Sequence, residues 1–217
     1  MRNMIIMTDM NILKRCKERD IEVFVHFTNV INLPSILSLG LHSREELDNW
    51  YVDYSYNDSI RMDEAKDAVS LSVSSPNYRM FYKLRCINPK TQWCVILLDA
   101  LEILKLDCAF CYTNAASACI TDIPIENRKS FDAFEQMFAN ELFGNKREVT
   151  KVEEYETTDP QAEVLVFEPI PVSAIKYIVF DSYDIMNQYK PIISEHSISC
   201  AVDRGHYAPR RDYEYWR

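Results

Sequence analysis

The sequence predicts an α+β fold in which short apolar strands are split by helices and two long polar loops, with no internal repeat or low-complexity tract. Three observations carry this expectation. Residues Val69–Val73 read Val-Ser-Leu-Ser-Val, the alternation of a strand with one buried face. Trp93 to Leu98 and Val164 to Phe167 are continuous apolar runs suited to buried strands. Ser130, followed by Phe131, Phe134, Met137 and Phe138, has the spacing of a capped amphipathic helix whose aromatic face enters a core. The length of 217 residues with 47% hydrophobic side chains suits one compact domain.

In chain order, Thr8 or Asp9 caps a helix to about Arg19, because a short polar side chain there accepts an otherwise unpaired N–H. Glu22 to Phe27 is a strand with Val23, Val25 and Phe27 on one face and His26 on the other. Pro34 in a first turn and Gly40 at an end bracket a short helix beginning at Asn32 or Leu33. Residues 44–67 are acidic and tyrosine-rich with weak periodicity, which predicts a long loop containing Arg61. After the Val69–Val73 strand, Ser74-Ser75-Pro76 starts a helix through Tyr82 and Lys83. Asp99 caps a helix to Leu104, and a strand lies near Leu106 to Phe110. Residues 144–160 are charged and turn-like, and Ile175 to Phe180 is the last clear strand.

The net charge of −9 argues against binding nucleic acid through a global field. Local basic clusters remain: Arg79, Lys83, Arg85 and Lys90 in one segment, and Arg204, Arg210, Arg211 and Arg217 among Tyr207, Tyr213, Tyr215 and Trp216 in the tail. Two readings of the tail stand side by side. It stacks bases and holds phosphates, or it packs its aromatics on the body and solvates its arginines. No run of about eighteen uncharged apolar residues exists, so no membrane helix is expected. The opening residues lack a signal-peptide pattern, and the expectation is a cytoplasmic protein. Seven cysteines then read as reduced thiols. The close pair Cys108-x-x-Cys111 lacks a second pair or suitably spaced histidines, and no metal is assigned to it.

The tripeptide Gln161-Ala162-Glu163 precedes an apolar run, which puts one carboxylate at the mouth of a strand. On an extended chain Gln161 and Glu163 point to the same side, so an amide and an acid face one ligand. That pairing suits transfer from a nucleotide sugar. His26-Phe27-Thr28-Asn29 with Asn32-Leu33 and Gly40-Leu41, then Val69-Ser70-Leu71-Ser72 with Pro76 and Met80-Phe81-Tyr82, then Gln161-Ala162-Glu163-Val164-Leu165-Val166, together resemble the DarT family of nucleic-acid ADP-ribosyltransferase toxins. The resemblance spans about residues 22–180, with 181–217 as a C-terminal extension of one domain.

The resemblance implies an ADP-ribosyltransferase-type fold, two small mixed sheets packed around an NAD cleft with flanking helices. It implies NAD as co-substrate, a base in single-stranded DNA or RNA as acceptor, and an antitoxin partner, often a macrodomain protein. Cleaving the nicotinamide–ribose bond builds an oxocarbenium-like centre that a carboxylate stabilises, a role that falls to Glu163. By similarity His26, Thr28, Asn29, Leu33, Gly40, Ser70 and Tyr82 would line the NAD site. Arg61 and Arg79 are rivals for the family's essential arginine, because the chain has Ser72 on the strand and Asn77-Tyr78-Arg79 after Pro76. Gln161 would meet the acceptor, and Lys146 and Arg147 would touch phosphates unless that charged loop is merely solvated. Transfer to a protein side chain or plain NAD hydrolysis uses the same Glu163, and a binding module without turnover is the remaining alternative.

Overall fold

The computed structural model describes residues 9–50 and 67–216. The described chain begins with α1 (Met10–Glu18), whose cap Asp9 accepts the Asn11 N–H, followed by β1 (Val23–Asn29) and α2 (Leu33–Leu39) with Pro34 in its first turn. Next comes α3 (Arg44–Asn49), opened by a reciprocal capping box between Ser43 and Glu46. This box nucleates a helix at the start of the stretch expected as loop. Then follow β2 (Val69–Val73), α4 (Tyr78–Ile87) capped by Asn77, β3 (Trp93–Asp99), α5 (Ala100–Ile103) capped by Asp99, and β4 (Cys108–Cys111). Three short helices, α6 (Ala118–Thr121), α7 (Ile125–Arg128) and α8 (Phe131–Gln136), lead into a hairpin of β5 (Glu141–Leu142) and β6 (Asn145–Lys146). Helix α9 (Arg147–Thr150) precedes β7 (Glu163–Val166) and β8 (Ile175–Phe180). Beyond the last strand expected from sequence, the chain adds α10 (Tyr183–Glu195) and β9 (Ser199–Val202), which pairs in parallel with β8.

The large sheet has the order β4-β7-β2-β1-β3-β8-β9. Strand β1 bonds to β3 along its whole length, from Val23 opposite Asp99 to Asn29 opposite Trp93. It bonds to β2 only at Phe24–Val73 and Val25–Ser72, after which the two strands part. The sheet therefore behaves as two smaller ones, β4-β7-β2 and β1-β3-β8-β9, joined at a short seam. The expected pair of small mixed sheets is thus one continuous sheet, with β4-β7-β2 wholly antiparallel and only the other part mixed through the parallel β8–β9 pair.

Alternation along the strands sorts side chains between two faces. One face, with Phe24, Leu71, Ile96, Val164 and Ile178, packs against helices through Ile12, Leu37, Phe134 and Ile193 and forms the main core. The opposite face carries two separate apolar clusters. Val25, Phe81, Trp93 and Tyr207 gather under α4, while Ala109, Cys111, Ile120 and Leu165 gather under α6. Ser70, Ser72 and Glu163 alternate with main-core residues, so they fall on this second face, between the two clusters. Burying one large apolar side chain is worth about 1.5–3 kcal/mol, so each half-sheet rests on its own packed layer.

Candidate active site

Strand β7 begins at Glu163, which pairs with Cys111 of β4 and is 7% exposed. The loop following β4 reaches back to hold this carboxylate. The Ala115 N–H donates to Oε2 at 3.0 Å, and Asn114 Nδ2 donates to Oε1 at 3.3 Å. The Ala116 N–H in turn donates to Asn114 Oδ1 at 3.0 Å, which settles which end of the amide faces Glu163. Hydrogen bonds to an ionised group are stronger than neutral ones, so the carboxylate is fixed in direction as well as position. Sequence reasoning missed both partners. A backbone N–H leaves no trace in composition, and Asn114 reads as an ordinary turn residue.

Gln161 departs from its expected place on an extended strand. The Asp159 carboxylate accepts the Gln161 N–H at 2.7 Å, and the Asp159 carbonyl accepts the Ala162 N–H at 3.1 Å. These bonds close a tight turn, so the turn rather than strand alternation aims Gln161. Asp159 is 1% exposed. Burial pushes its carboxyl above the ordinary value, opposed by the Thr113 hydroxyl, the Gln161 N–H and the Arg210 and Arg79 guanidiniums. Arg79, exposed on the first turn of α4, thus lies close enough to act on the Asp159 turn. Its rival, Arg61, lies outside the described residues.

Across the seam, His26 reaches β2: its Nδ1–H donates to the Ser70 carbonyl at 3.1 Å. A carbonyl only accepts, so Nδ1 carries the proton and Nε2 keeps the accepting lone pair in the neutral ring. Thr28 is buried, its Oγ1 accepting from Asn32 Nδ2 at 2.9 Å, and Asn29 Oδ1 accepts the Ile31 N–H at 3.2 Å. These bonds stiffen the turn where β1 leaves the sheet. Ser70 is half-buried on β2.

Several of the expected ligand-lining residues also have a part in the fold. The Leu33 side chain is wholly buried in the main core. Gly40 has φ +89°, and a Cβ there would lie 2.3 Å from the Ile170 carbonyl oxygen, so it lets Leu41 and Ile170 exchange backbone bonds. Arg147 turns inward, donating to the Glu153 and Glu156 carbonyls at 2.8 Å each and to the Thr158 hydroxyl at 3.2 Å. It braces the segment before β7 rather than facing a phosphate. Tyr82 is 64% exposed on α4, where its hydroxyl meets Cys86 one turn on. Lys146 is exposed on the hairpin. At that hairpin's tip Phe143 (φ +51°) and Gly144 (φ +81°) form the turn, and the Phe143 ring lies 6.2 Å from that of Tyr112. Tyr112 directly precedes the loop that grips Glu163.

The tail packs on the body. The buried Tyr207 hydroxyl donates to the Trp93 and Val179 carbonyls at 3.0 and 3.1 Å, and the Trp216 indole N–H donates to Asp212 at 2.9 Å. Tyr213 and Tyr215 stay exposed. Cys108 and Cys111, three apart on a strand, point to opposite faces, one into the main core and one toward Ala109 and Leu165, and so cannot share an ion. Among the described residues no cluster of metal-ligating side chains occurs, and no helix is long and apolar enough to cross a membrane.

The chain is similar in fold to Thermosipho africanus DarTG in complex with ADP-ribose (19% identity, TM-score 0.61), covering 86% of this chain but 51% of that one. It is also similar to Thermus sp. 2.9 DarT in complex with carba-NAD+ (15% identity, TM-score 0.59), covering 87% of this chain and 99% of that one. The same Thermus protein in complex with ADP-ribosylated ssDNA matches at 14% identity and TM-score 0.59, over 87% and 97% of the two chains. No curated protein matches the sequence. The family model described as "ssDNA thymidine ADP-ribosyltransferase, DarT" matches residues 25–208, and the chain therefore belongs to the DarT family.

Proposed function

We propose that this chain transfers ADP-ribose from NAD to thymidine in single-stranded DNA, with Glu163 as the catalytic carboxylate. The observation that carries this reading is the hold on Glu163: a nearly buried acid at a strand mouth, oriented by Asn114 and Ala115. Departure of neutral nicotinamide leaves positive charge on the ribose, and a fixed carboxylate bonded to the adjacent hydroxyl stabilises it. No strong general acid is required at the leaving nitrogen. Glu163 can then accept the proton of the base nitrogen that bonds to the ribose carbon.

His26 and Thr28 on the main-core face of β1, with Asn29 and Ser70 on the other face, would together form the NAD side of this site where β1 and β2 part. Gln161 and Arg79 face the acceptor. The adjoining rings of Tyr112 and Phe143, the latter 60% exposed, offer a stacking platform that suits an unpaired base. A paired base hides its reactive edge, and extruding one costs a few kcal/mol, which favours single strands. The chain would act in the cytoplasm as the toxin of a toxin–antitoxin pair, in phage defence among other settings, with a macrodomain-type partner that removes ADP-ribose. The similarity to a DarTG chain supports that pairing.

Nicotinamide release in the presence of single-stranded oligonucleotides containing only one base each, as DNA and as RNA, tests the acceptor. Release stimulated by the thymidine strand alone is expected. Equal stimulation by RNA strands moves the substrate class, and release indifferent to every strand moves the acceptor to protein or water.

A further inference from the structure

The tail meets the body at a buried ion pair beside the acceptor turn. Arg210 binds Asp212 through Nε at 2.7 Å and Nη2 at 2.5 Å, and Trp216 adds a third donor to that carboxylate. The Arg210 and Asp212 side chains are 6% and 0% exposed. The remaining donors of the guanidinium point at the turn: Nη1 donates to the Thr157 carbonyl at 2.8 Å and Nη2 to the Thr158 carbonyl at 3.2 Å. Asp212 and Trp216 thus fix the plane of the guanidinium, and the guanidinium fixes two consecutive peptides.

Those peptides are the base of the turn that aims Gln161. The Thr157 hydroxyl donates to the Asp159 carbonyl at 2.7 Å, and Asp159 binds the Gln161 and Ala162 N–H groups. Glu163 is secured differently, by the β4–β7 ladder and by Asn114 and Ala115. The two halves of the reaction therefore have different main supports, joined where Thr113, beside Asn114, bonds Asp159. Buried ion pairs are costly to keep, and replacing one by apolar residues is often neutral or stabilising, so the pair is weak evidence for a purely stabilising role. All three tail residues lie beyond the 25–208 span that the family model matches.

We infer that Arg210, held by Asp212 and Trp216, is a positioning residue that sets the acceptor turn through Thr157 and Thr158, and so governs transfer to the base rather than cleavage of NAD. The inference rests on the acceptor reading above. Without the clamp, Glu163 still supports loss of nicotinamide, but Gln161 no longer presents the base. Water then supplies the oxygen that bonds to the ribose carbon, its proton passes to solvent, and free ADP-ribose forms in place of the base adduct.

The test compares the wild-type chain with the apolar double variant Arg210→Met/Asp212→Leu, using NAD and a thymidine-containing single-stranded DNA oligonucleotide. Adduct formation and total nicotinamide are measured in the same tube. Misplacement of a reacting group by about 1 Å can cost roughly 100-fold, so adduct formation should fall by about 10- to 100-fold. Nicotinamide release without oligonucleotide and the KM for NAD should stay within about twofold, raising the ratio of nicotinamide to adduct. Equal losses in both reactions, or no loss in either, would overturn the inference. If thermal denaturation shows the double variant unfolded, Arg210→Lys is read by the same criteria, since it keeps the charge but cannot span two carbonyls. A wild-type chain that forms no adduct on any strand instead overturns the acceptor reading, a result distinct from an unchanged ratio.

Discussion

Replacing Asn114 by alanine separates the hold on Glu163 from the carboxylate itself. The substitution removes the Nδ2 donor to Oε1 and leaves the Ala115 N–H on Oε2. A hydrogen bond to a charged group is worth about 1.5–3 kcal/mol, and at 3.3 Å this one belongs near the lower end. If that contribution is made in the transition state, kcat falls about tenfold, since about 1.4 kcal/mol is one decade in rate. The lost bond from the Ala116 N–H to Oδ1 adds about 1 kcal/mol of destabilisation, a few degrees in melting temperature. Asn114→Asp keeps that bond but sets a second carboxylate against Oε1, so it should be slower than Asn114→Ala. Initial rates of nicotinamide release, with NAD titrated at saturating oligonucleotide, separate kcat from KM. A kcat within twofold of wild type, a loss confined to the KM for NAD, or an aspartate variant faster than the alanine one would show that Asn114 does not support Glu163 in the transition state.

Other expectations follow from the same contacts. Asp159 is more protonated in the fold than in the unfolded chain, so its contribution to stability is greatest below its ordinary value and is lost as pH rises through the raised one. The melting temperature of wild type relative to Asp159→Asn should accordingly rise as pH is lowered from 7 toward 4, and a flat difference would contradict this. Gly40→Ala must strain a positive φ and displace the Ile170 carbonyl, at about 3 kcal/mol or more, visible as a loss of about 6–12 °C in a thermal melt. Phe143→Ala should raise the oligonucleotide KM by about 5- to 150-fold, the range of stacking on one base, while NAD hydrolysis without oligonucleotide is unaffected.

What was legible in the sequence was local. Caps at Asp9, Asp99 and Ser130 each precede the helix they predict, because a cap acts within three residues. The alternation in Val69–Val73 and the face of His26 were equally direct. Contacts made across the fold left no such mark. Asn114 and Ala115 meet a residue almost fifty positions away, and nothing in their own neighbourhood says so. Helix α10 was hidden by Pro191 inside it, although Met186 and Ile193 face the core. Arg147 and Arg210 look from sequence like free cations in polar segments, and both turn inward to satisfy backbone carbonyls. Composition could not separate the two readings of the tail, because packing aromatics and stacking bases call for the same side chains.

The role proposed for Glu163 is to carry transfer of ADP-ribose to a base. Mass spectrometry of mixed single-stranded DNA and RNA oligonucleotides, incubated with NAD and either wild type or Glu163→Gln, tests it most directly. Glutamine keeps the size and removes the charge, and loss of such electrostatic support costs about 100- to 1,000-fold. One added ADP-ribose is expected on thymidine-containing DNA with wild type, and no detectable adduct with Glu163→Gln at equal time. Adduct formation by Glu163→Gln at the wild-type rate would contradict it, as would a wild type that releases nicotinamide yet leaves every strand unmodified.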